Sequence, residues 1–357
     1  DNLGVPFWAT TFVLLLMILL YTFEGGVKTI VVTDTLQTSF MIISLIACIW
    51  FILSHLNLSV GEAYDMMQAK NYTHFINFDP NSKTYFLKTI LGGMFITIAM
   101  TGLDQEMMQK NISVDNLQNS KKNMLTFAGT LLIVNLAFLF LGGLLYLYAM
   151  SEGGFYTADG FFMEQGGQNI MGDDMFPALS LLGHHFPMII SVIFIIGLIS
   201  ALFPSADGAL TAVTSSYCVD LLNINEDKEK SEKEKKKIRI RVHLIFTVVF
   251  FILIMVFKAI NNKSIVYLVM EIAGYTYGPL LGLFAFGILT KRNIYKKYSI
   301  ITVAILAPIF TYIINELVIN FTDYKIGVEL IILNGLLTFI GLWLVSSNRQ
   351  KETIIHS

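Results

Sequence analysis

Nine apolar runs, each long enough to cross a lipid bilayer, constrain this chain more than any other feature of its sequence. They cover residues 5–22, 29–53, 85–103, 124–150, 187–222, 242–260, 264–290, 298–316 and 326–346. With 55% hydrophobic and 14% charged residues, the chain has more apolar sequence than the core of a soluble domain needs. The sequence predicts an all-α integral membrane protein in a lipid bilayer, with no nucleic-acid partner.

The positive charges predict how the chain is oriented. When the connections are assigned alternately to the two sides, one set holds 18 of the 24 Lys and Arg residues. Positively charged connections stay in the cytoplasm, so we expect Asp1 outside, Ser357 inside and multi-pass insertion in the inner or plasma membrane. The connection 151–186 has no Lys or Arg, which agrees with an external position, and its glycines predict irregular structure.

The polar stretch Ala201–Ser216 lies inside the fifth apolar run. It places Asp207 at bilayer depth, where a carboxylate is costly and typically functional. Pro204 removes a backbone donor, and small residues recur at helical spacing, so backbone and hydroxyl oxygens point inward. Such oxygens suit a hard cation such as sodium. The alternative is a tightly packed helix whose small residues serve only contact with a neighbour.

Two more carboxylates lie in apolar runs. Asp34 follows the start of the second run, where it either faces a cavity or is solvated at a helix end near Lys28. Glu271 precedes a Gly-Pro break by about two turns, and it either faces a cavity or lies at the external end near Lys263. Both positions are candidates for binding.

The remaining segments predict a helix break and two helices outside the membrane. Glycines and threonines in the third run predict a segment that unwinds and exposes backbone to a solute. Residues 55–83 predict an external loop with a short surface helix. Residues 224–241 predict a solvated helical extension with Glu-Lys pairs; a lipid-binding or regulatory role is the alternative.

Four motifs in this order resemble the sodium:solute symporter family, whose members include sodium/glucose, proline and sialic acid carriers. They are Gly25–Lys28 with Thr33–Gln37, Thr101–Gln105 with Gln109, Asp174–Pro177, and Ala201–Asp220. The resemblance implies a LeuT-like inverted-repeat fold, with core helices 4–10 over residues 1–290. Residues 291–357 would add two transmembrane helices and a cytoplasmic tail. It further implies that N-terminal helices of the same protein are missing, and we expect this chain not to function alone.

The resemblance also implies the coupling-ion ligands. One sodium site of the family uses core helix 8, whose ligands fall here on the carbonyl of Ala201, on Pro204 and on Ser205. Pro204 stands where the family has a hydroxyl, so its carbonyl is the remaining candidate. A second site in some members falls on Asp34 and Asp207. Two carboxylates there either bind a second sodium more strongly or share a proton.

The solute-facing positions of the family are carried over in the same way. They match Thr97, Met100, Thr101 and Glu271. The implied function is sodium-coupled secondary active import of a small polar organic solute, such as a sugar or sialic acid, by alternating access, with Na+ as the coupling ion.

A non-transporting membrane sensor or channel on the same fold is the alternative function. Sequence before Asp1 or after Ser357 would separate the two, since a signalling domain would favour the sensor. An enzyme is not expected, because no nucleophile lies with its base within the spans.

Overall fold

The structure is a computed structural model. It describes residues 6–22, 27–73, 76–104, 107–108, 111, 114–157, 160–165, 168–171, 186–224, 226, 230–260, 265–294, 296–322, 324 and 326–348. The chain forms two compact units: unit 1 comprises Asp1–His74 and Gln109–Ile260, and unit 2 comprises Phe75–Met108 and Asn261–Ser357. The division expected at residue 290 concerns the transport core and stays a prediction.

Helices dominate the described residues. In chain order the elements are α1 (Phe7–Thr22), α2 (Val27–Leu56), α3 (Val60–Ala69), α4 (Phe86–Thr97), α5 (Leu117–Ser151), β1 (Phe155–Thr157), β2 (Gly160–Gln165), β3 (Gln168–Met171), α6 (Met188–Ser216), α7 (Glu232–Ile260), α8 (Ile265–Leu289), β4 (Arg292–Asn293), α9 (Lys297–Phe321), α10 (Leu330–Val345) and β5 (Ser347–Asn348). Two π-helical turns, Ile98–Gly102 and Tyr217–Leu221, directly continue α4 and α6.

All nine apolar runs contain helix in the described part of the chain. Six stretches are long and apolar enough to cross a membrane: Val32–Leu56, Leu117–Ser151, Met188–Leu221, Glu232–Ala259, Ile272–Leu289 and Tyr298–Phe321. Three apolar helices are shorter, namely Phe7–Leu20, Phe86–Gly102 and Leu330–Val345. Six of the nine predicted runs therefore lie on helices that are long and apolar enough to span a bilayer, and the individual membrane crossings stay predictions.

The expected surface helix is α3. Ser59 caps it, because its side chain accepts a hydrogen bond from the Glu62 amide while the Glu62 carboxylate accepts one from the Ser59 amide at 2.8 Å. These two reciprocal bonds satisfy backbone donors that a helix start leaves open. Hydrogen bonds from Ser59 to the Glu62 carboxyl hold its pKa below the ordinary value, and the bond from the Ser59 amide is the larger cause.

The connection after α5 contains a small antiparallel sheet, β1-β2-β3. Phe162 of β2 pairs with Phe155 on one side and with Met171 on the other. The prediction of irregular structure is therefore wrong for these strands. The Gly-Gly pair between β2 and β3 is a sequence that favours a tight hairpin turn, and this signal outweighs the glycine content.

Unit 1 has an aromatic core where α2, α5 and the start of α6 meet. The ring centroids of Phe51 and Phe186 are 4.9 Å apart, and those of Tyr148 and Phe186 are 5.3 Å apart. Tyr148 is fully buried. This core joins the end of α2 to the residue that precedes α6, and so fixes how the two helices run past each other.

Unit 2 is built on the parallel packing of α8 and α10. Three glycines of α8, spaced four residues apart, face three residues of α10 with the same spacing: Gly274 faces Leu330, Gly278 faces Asn334, and Gly282 faces Thr338. Each glycine lies so close to α10 that an added Cβ would press on it. Small residues at this spacing let helix backbones approach closely in membranes.

Candidate cation and solute sites

Helices α2 and α6 pack antiparallel in unit 1. Phe51, near the end of α2, contacts Phe186, just before α6. Ser44, earlier in α2, contacts Gly197, later in α6. A Cβ at Gly197 would collide with the Ser44 side chain. The absence of a side chain at Gly197 therefore allows the close approach of these two helices.

This packing brings Asp34 and Asp207 to the same level. Asp34 lies ten residues before Ser44, and Asp207 lies ten residues after Gly197. Since the helices are antiparallel, both carboxylates lie about 15 Å from the contact, in the same direction, at a rise of about 1.5 Å per residue. Asp207 is fully buried and Asp34 is half-buried.

A second buried polar group lies one turn beyond Asp34 on α2. The side-chain carbonyl oxygen of Gln37 is buried and has no hydrogen-bond partner among the described residues. A buried acceptor without a donor is costly in an apolar setting. This position therefore favours a bound cation, water or polar ligand.

The other predicted cation ligands lie on a different face of α6. Ala201 and Ser205 are exposed in this chain, and Pro204 is half-buried. Two residues along a helix correspond to a rotation of about 200°, so Ser205 points away from the direction of Asp207. The described residues thus bring Asp207 to the level of Asp34 but do not bring Ala201 or Ser205 to the same place.

A buried histidine that the sequence analysis missed lies beside α6. His243 of α7 has its Nε2 2.9 Å from the hydroxyl of Thr22 on α1 and its Nδ1 3.0 Å from the hydroxyl of Thr214 on α6. All three side chains are buried. The imidazole ring therefore links three helices of unit 1. The signal in the sequence was the position of His243 inside an apolar run, which indicates that the ring needs a partner but not which one.

In unit 2 the predicted helix break is a π-helical turn. Residues Ile98–Gly102 follow α4 in this conformation, which includes Met100 and Thr101. Both side chains are half-buried, whereas Thr97 is exposed and its hydroxyl donates to the Gly93 carbonyl at 2.9 Å. Turns of this kind occur frequently at functional sites. The helix is therefore irregular here but continuous, so the predicted unwinding is not seen, and the solute-binding role of these residues stays a prediction.

The start of α4 is held by a buried lysine. The Lys88 ammonium lies 3.5 Å from the centre of the Tyr324 ring and 3.8 Å from the Glu329 carboxylate, and it donates to the Ser82 carbonyl at 3.2 Å. The Tyr324 hydroxyl donates to the same carboxylate at 3.1 Å. These contacts tie the helix that carries the π-helical turn to the residues before α10.

The pKa of Tyr324, which lies outside the apolar helices, is changed by burial and by the neighbouring Glu329. Burial, followed by the negative charge of Glu329, raises the pKa of the Tyr324 hydroxyl to about 12. The neutral hydroxyl is the form that donates to Glu329. The contact is therefore present at neutral pH.

Several predicted residues lie outside the described part of the chain. The helix α8 includes position 271, but the side chain of Glu271 is not among the described ones. The same holds for the motif residues Gly25, Gly26, Gln105, Gln109 and Asp174–Pro177. Their predicted roles stay predictions.

Comparison with known proteins supports the fold. A Na+-coupled sialic acid symporter in a substrate-bound, outward-open state matches with a TM-score of 0.72 and 18% identity, over 95% of this chain and 66% of that chain. This likeness confirms the predicted all-helical, LeuT-like membrane fold. The human sodium/iodide cotransporter is 26% identical over 140 residues, which cover 38% of this chain and 21% of that protein.

The family model gives the broadest match. The sodium:solute symporter family matches residues 1–296, which include the stretches that carry the four motifs. With the six long apolar helices, this match identifies a multi-pass protein of the plasma membrane and not an enzyme. The chain belongs to the sodium:solute symporter family.

Proposed function

We propose that the protein containing this chain is a sodium-coupled secondary active symporter, which imports a small polar organic solute by alternating access. A sugar, sialic acid or similar molecule is the proposed solute class. Sodium entering through a potential of about 100 mV supplies about 2.3 kcal/mol per charge. That energy alone corresponds to about a 50-fold accumulation of solute per ion, since 1.4 kcal/mol is a factor of ten.

One observation carries the cation part of this proposal. Asp207 is fully buried in α6 at the level of Asp34 on the antiparallel α2. Carboxylates at this depth in a membrane helix are rarely tolerated without a functional reason. The buried acceptor of Gln37 on the same helix as Asp34 adds a second group that a cation or its water would satisfy.

Pro204 supports a role for the backbone of α6. Because proline has no amide proton, the Ser200 carbonyl lacks the donor that the helix would otherwise provide. Among the described residues no side chain donates to this carbonyl. Its oxygen, with the proposed ligands Ala201, Pro204 and Ser205, suits sodium coordination by backbone oxygens.

We propose that the solute binds at the π-helical turn of unit 2 and at the part of α8 around Glu271. Thr97, Met100 and Thr101 are proposed to face the solute, together with Glu271. The irregular turn after α4 provides backbone groups that can hydrogen-bond a polar solute at membrane depth.

The first test is uptake by the full-length protein in liposomes. We expect accumulation of labelled sialic acid or glucose when sodium is present outside, and its collapse when potassium replaces sodium. Uptake that does not depend on sodium would refute sodium coupling. The absence of uptake for a wide panel of polar solutes, together with a signalling domain after Ser357, would favour the sensor.

Sodium-dependent thermal stability of the full-length protein tests the cation site directly. Sodium at a hundredfold excess over its Kd should raise the unfolding free energy by about 2.7 kcal/mol. We expect Asp207→Asn to remove most of this gain and Asp34→Asn to reduce it. Asp220→Asn is the matched control, since Asp220 is exposed in the π-helical turn after α6. An equal loss in all three variants would contradict the assignment.

A further inference from the structure

The helix α8 has a gap in its hydrogen-bond ladder. Pro279 lies in its interior and has no amide proton, so the Tyr275 carbonyl four residues earlier lacks its helical donor. In the apolar interior of a membrane, an unpaired backbone carbonyl costs several kcal/mol unless another group satisfies it. A proline at this position therefore requires a compensating donor.

Asn334 of α10 supplies that donor. Its side-chain nitrogen donates to the Tyr275 carbonyl at 2.9 Å and to the Gly274 carbonyl at 3.1 Å. The residue is fully buried. An amide nitrogen has two protons, so a single side chain can donate to both carbonyls at once.

Glycine spacing explains how Asn334 reaches the gap. Gly278 faces the Asn334 side chain so closely that an added Cβ would collide with its Cβ and amide. The contacts of Gly274 with Leu330 and of Gly282 with Thr338 keep the two parallel helices in the same register on either side. The asparagine is therefore placed at the one level of α8 where a donor is missing.

We infer that Asn334 is a positioning residue for the proposed solute site. From α10 it supplies the hydrogen bond that Pro279 removes, and so holds the interrupted turn of α8 that follows Glu271. Helix α10, expected from the sequence to be one of two additional C-terminal helices, is then part of the transport machinery. The inference rests on the proposed function for the solute, but the compensating bond itself does not.

The test is a double-mutant cycle in the full-length protein. Asn334→Leu keeps the number and branching of the side-chain heavy atoms but removes the donor, whereas Pro279→Ala restores an amide proton to the ladder. Thr338→Val is the matched control, because the Thr338 hydroxyl is buried in the same helix and donates only within it, to the Asn334 carbonyl at 2.9 Å.

The first readout is hydrogen exchange of the backbone amides in α8, measured by mass spectrometry. We expect about tenfold faster exchange near Tyr275 in Asn334→Leu and little change in Thr338→Val. In the Pro279→Ala background, Asn334→Leu should have less than a twofold effect. Equal acceleration with and without Pro279, or no acceleration, would overturn the inference, since the asparagine would then only pack between helices.

The second readout is sodium-driven uptake of labelled sialic acid and glucose in liposomes. Asn334→Leu should raise the KM for the transported solute at least threefold relative to Thr338→Val, with a smaller change in maximal rate per folded protein. Faster exchange with an unchanged KM would refute the link to the solute site. If the unaltered protein shows no sodium-driven uptake, the proposed function fails, and the exchange cycle still decides whether Asn334 compensates for Pro279.

Discussion

Helices α6 and α8 both contain an interior proline, but the carbonyl that loses its hydrogen-bond donor has a side-chain partner in only one of them. In α8 the open carbonyl of Tyr275 accepts a hydrogen bond from Asn334 of a neighbouring helix. In α6 the open carbonyl is that of Ser200, and no side chain among the described residues donates to it. The gap that a proline leaves in a helix can therefore be closed by a side chain of the protein, as in α8, or left open to a ligand, as in α6.

Helices α6 and α8 also differ in how many glycines lie in close contact with the neighbouring helix. Three evenly spaced glycines of α8 lie against α10, whereas the close contact of α6 with α2 is at Gly197 and Ser44. Small residues at this spacing let α8 and α10 approach closely over several turns. Helix α6 also packs extensively along α2, and its residues Phe203 and Leu210, on either side of Asp207, meet Leu15 and Ile18 of α1.

The largest expected effect comes from filling the glycine contacts. We expect Gly278→Ala and Gly197→Ala each to lower the unfolding free energy by about 1–3 kcal/mol, because the added methyl group overpacks the contact. Gly287→Ala in α8 is the control, since no atom lies within 4 Å of the added carbon there, and alanine should stabilise that helix by about 0.5–1 kcal/mol. Thermal unfolding in detergent measures all three.

A compensating change sharpens this first prediction. Ser44→Gly combined with Gly197→Ala should recover most of the loss, since it removes the Ser44 side-chain atoms that the new methyl group would meet. The measurement is the unfolding temperature of the single and double variants. A double variant no more stable than Gly197→Ala would show that Ser44 does not set the approach of α2 and α6.

Replacing each proline with alanine separates the two kinds of break. Pro204→Ala restores a donor to an open carbonyl, so stability should rise by about 1 kcal/mol while the stabilisation by sodium falls. Pro279→Ala exchanges one donor for another, so its stability should change less. Thermal unfolding with and without sodium checks both, and equal behaviour of the two variants would remove the distinction between them.

Loss of the hydrogen bond to His243 should lower the unfolding free energy moderately. Thr214→Val keeps the shape of the side chain but removes the hydroxyl 3.0 Å from His243 Nδ1. We expect a loss of about 1 kcal/mol, as is typical for one intramolecular hydrogen bond. Thr302→Val, at an exposed hydroxyl that bonds within α9, is the control and should leave the unfolding temperature nearly unchanged.

The smallest expected effect concerns Tyr324 in unit 2. Because its pKa is raised to about 12 in the folded protein and is about 10 when unfolded, its contribution is complete below pH 10 and is lost as pH rises towards 12. Tyr324→Phe should remove this part of the pH dependence. A steeper loss in the variant than in the unaltered protein would contradict the contact with Glu329.

The sequence predicted the helices well because hydropathy over about twenty residues is a local signal. The sequence also identified Asp207 as buried, because a carboxylate in an apolar run is recognisable on its own. It identified the residues before Gly102 as irregular, because paired glycines are recognisable in the same way. The short sheet after α5 was not predicted, because hairpin formation depends on how two strands pair and not on glycine content.

The contacts of His243 and Asn334 could not be predicted from local sequence signals. Each depends on which helix lies next to which, and that arrangement follows from packing across residues distant in the chain. The glycine stripe of α8 is visible in the sequence at Gly274, Gly278 and Gly282, but its partner helix is not. A polar residue in an apolar run signals that it needs a partner without identifying that partner.

The π-helical turn after α4 also determines how the chain tolerates insertions and deletions. Such a turn holds one residue more than an α-helical turn, and each residue rotates a helix by about 100°. Deleting Ile98 would therefore convert Ile98–Gly102 to ordinary helix and leave Leu103 and the residues after it on nearly the same face. The same deletion in an ordinary α-helical turn would rotate the residues that follow by about 100°, so at this position the turn absorbs a change of one residue that would elsewhere rotate a helix face.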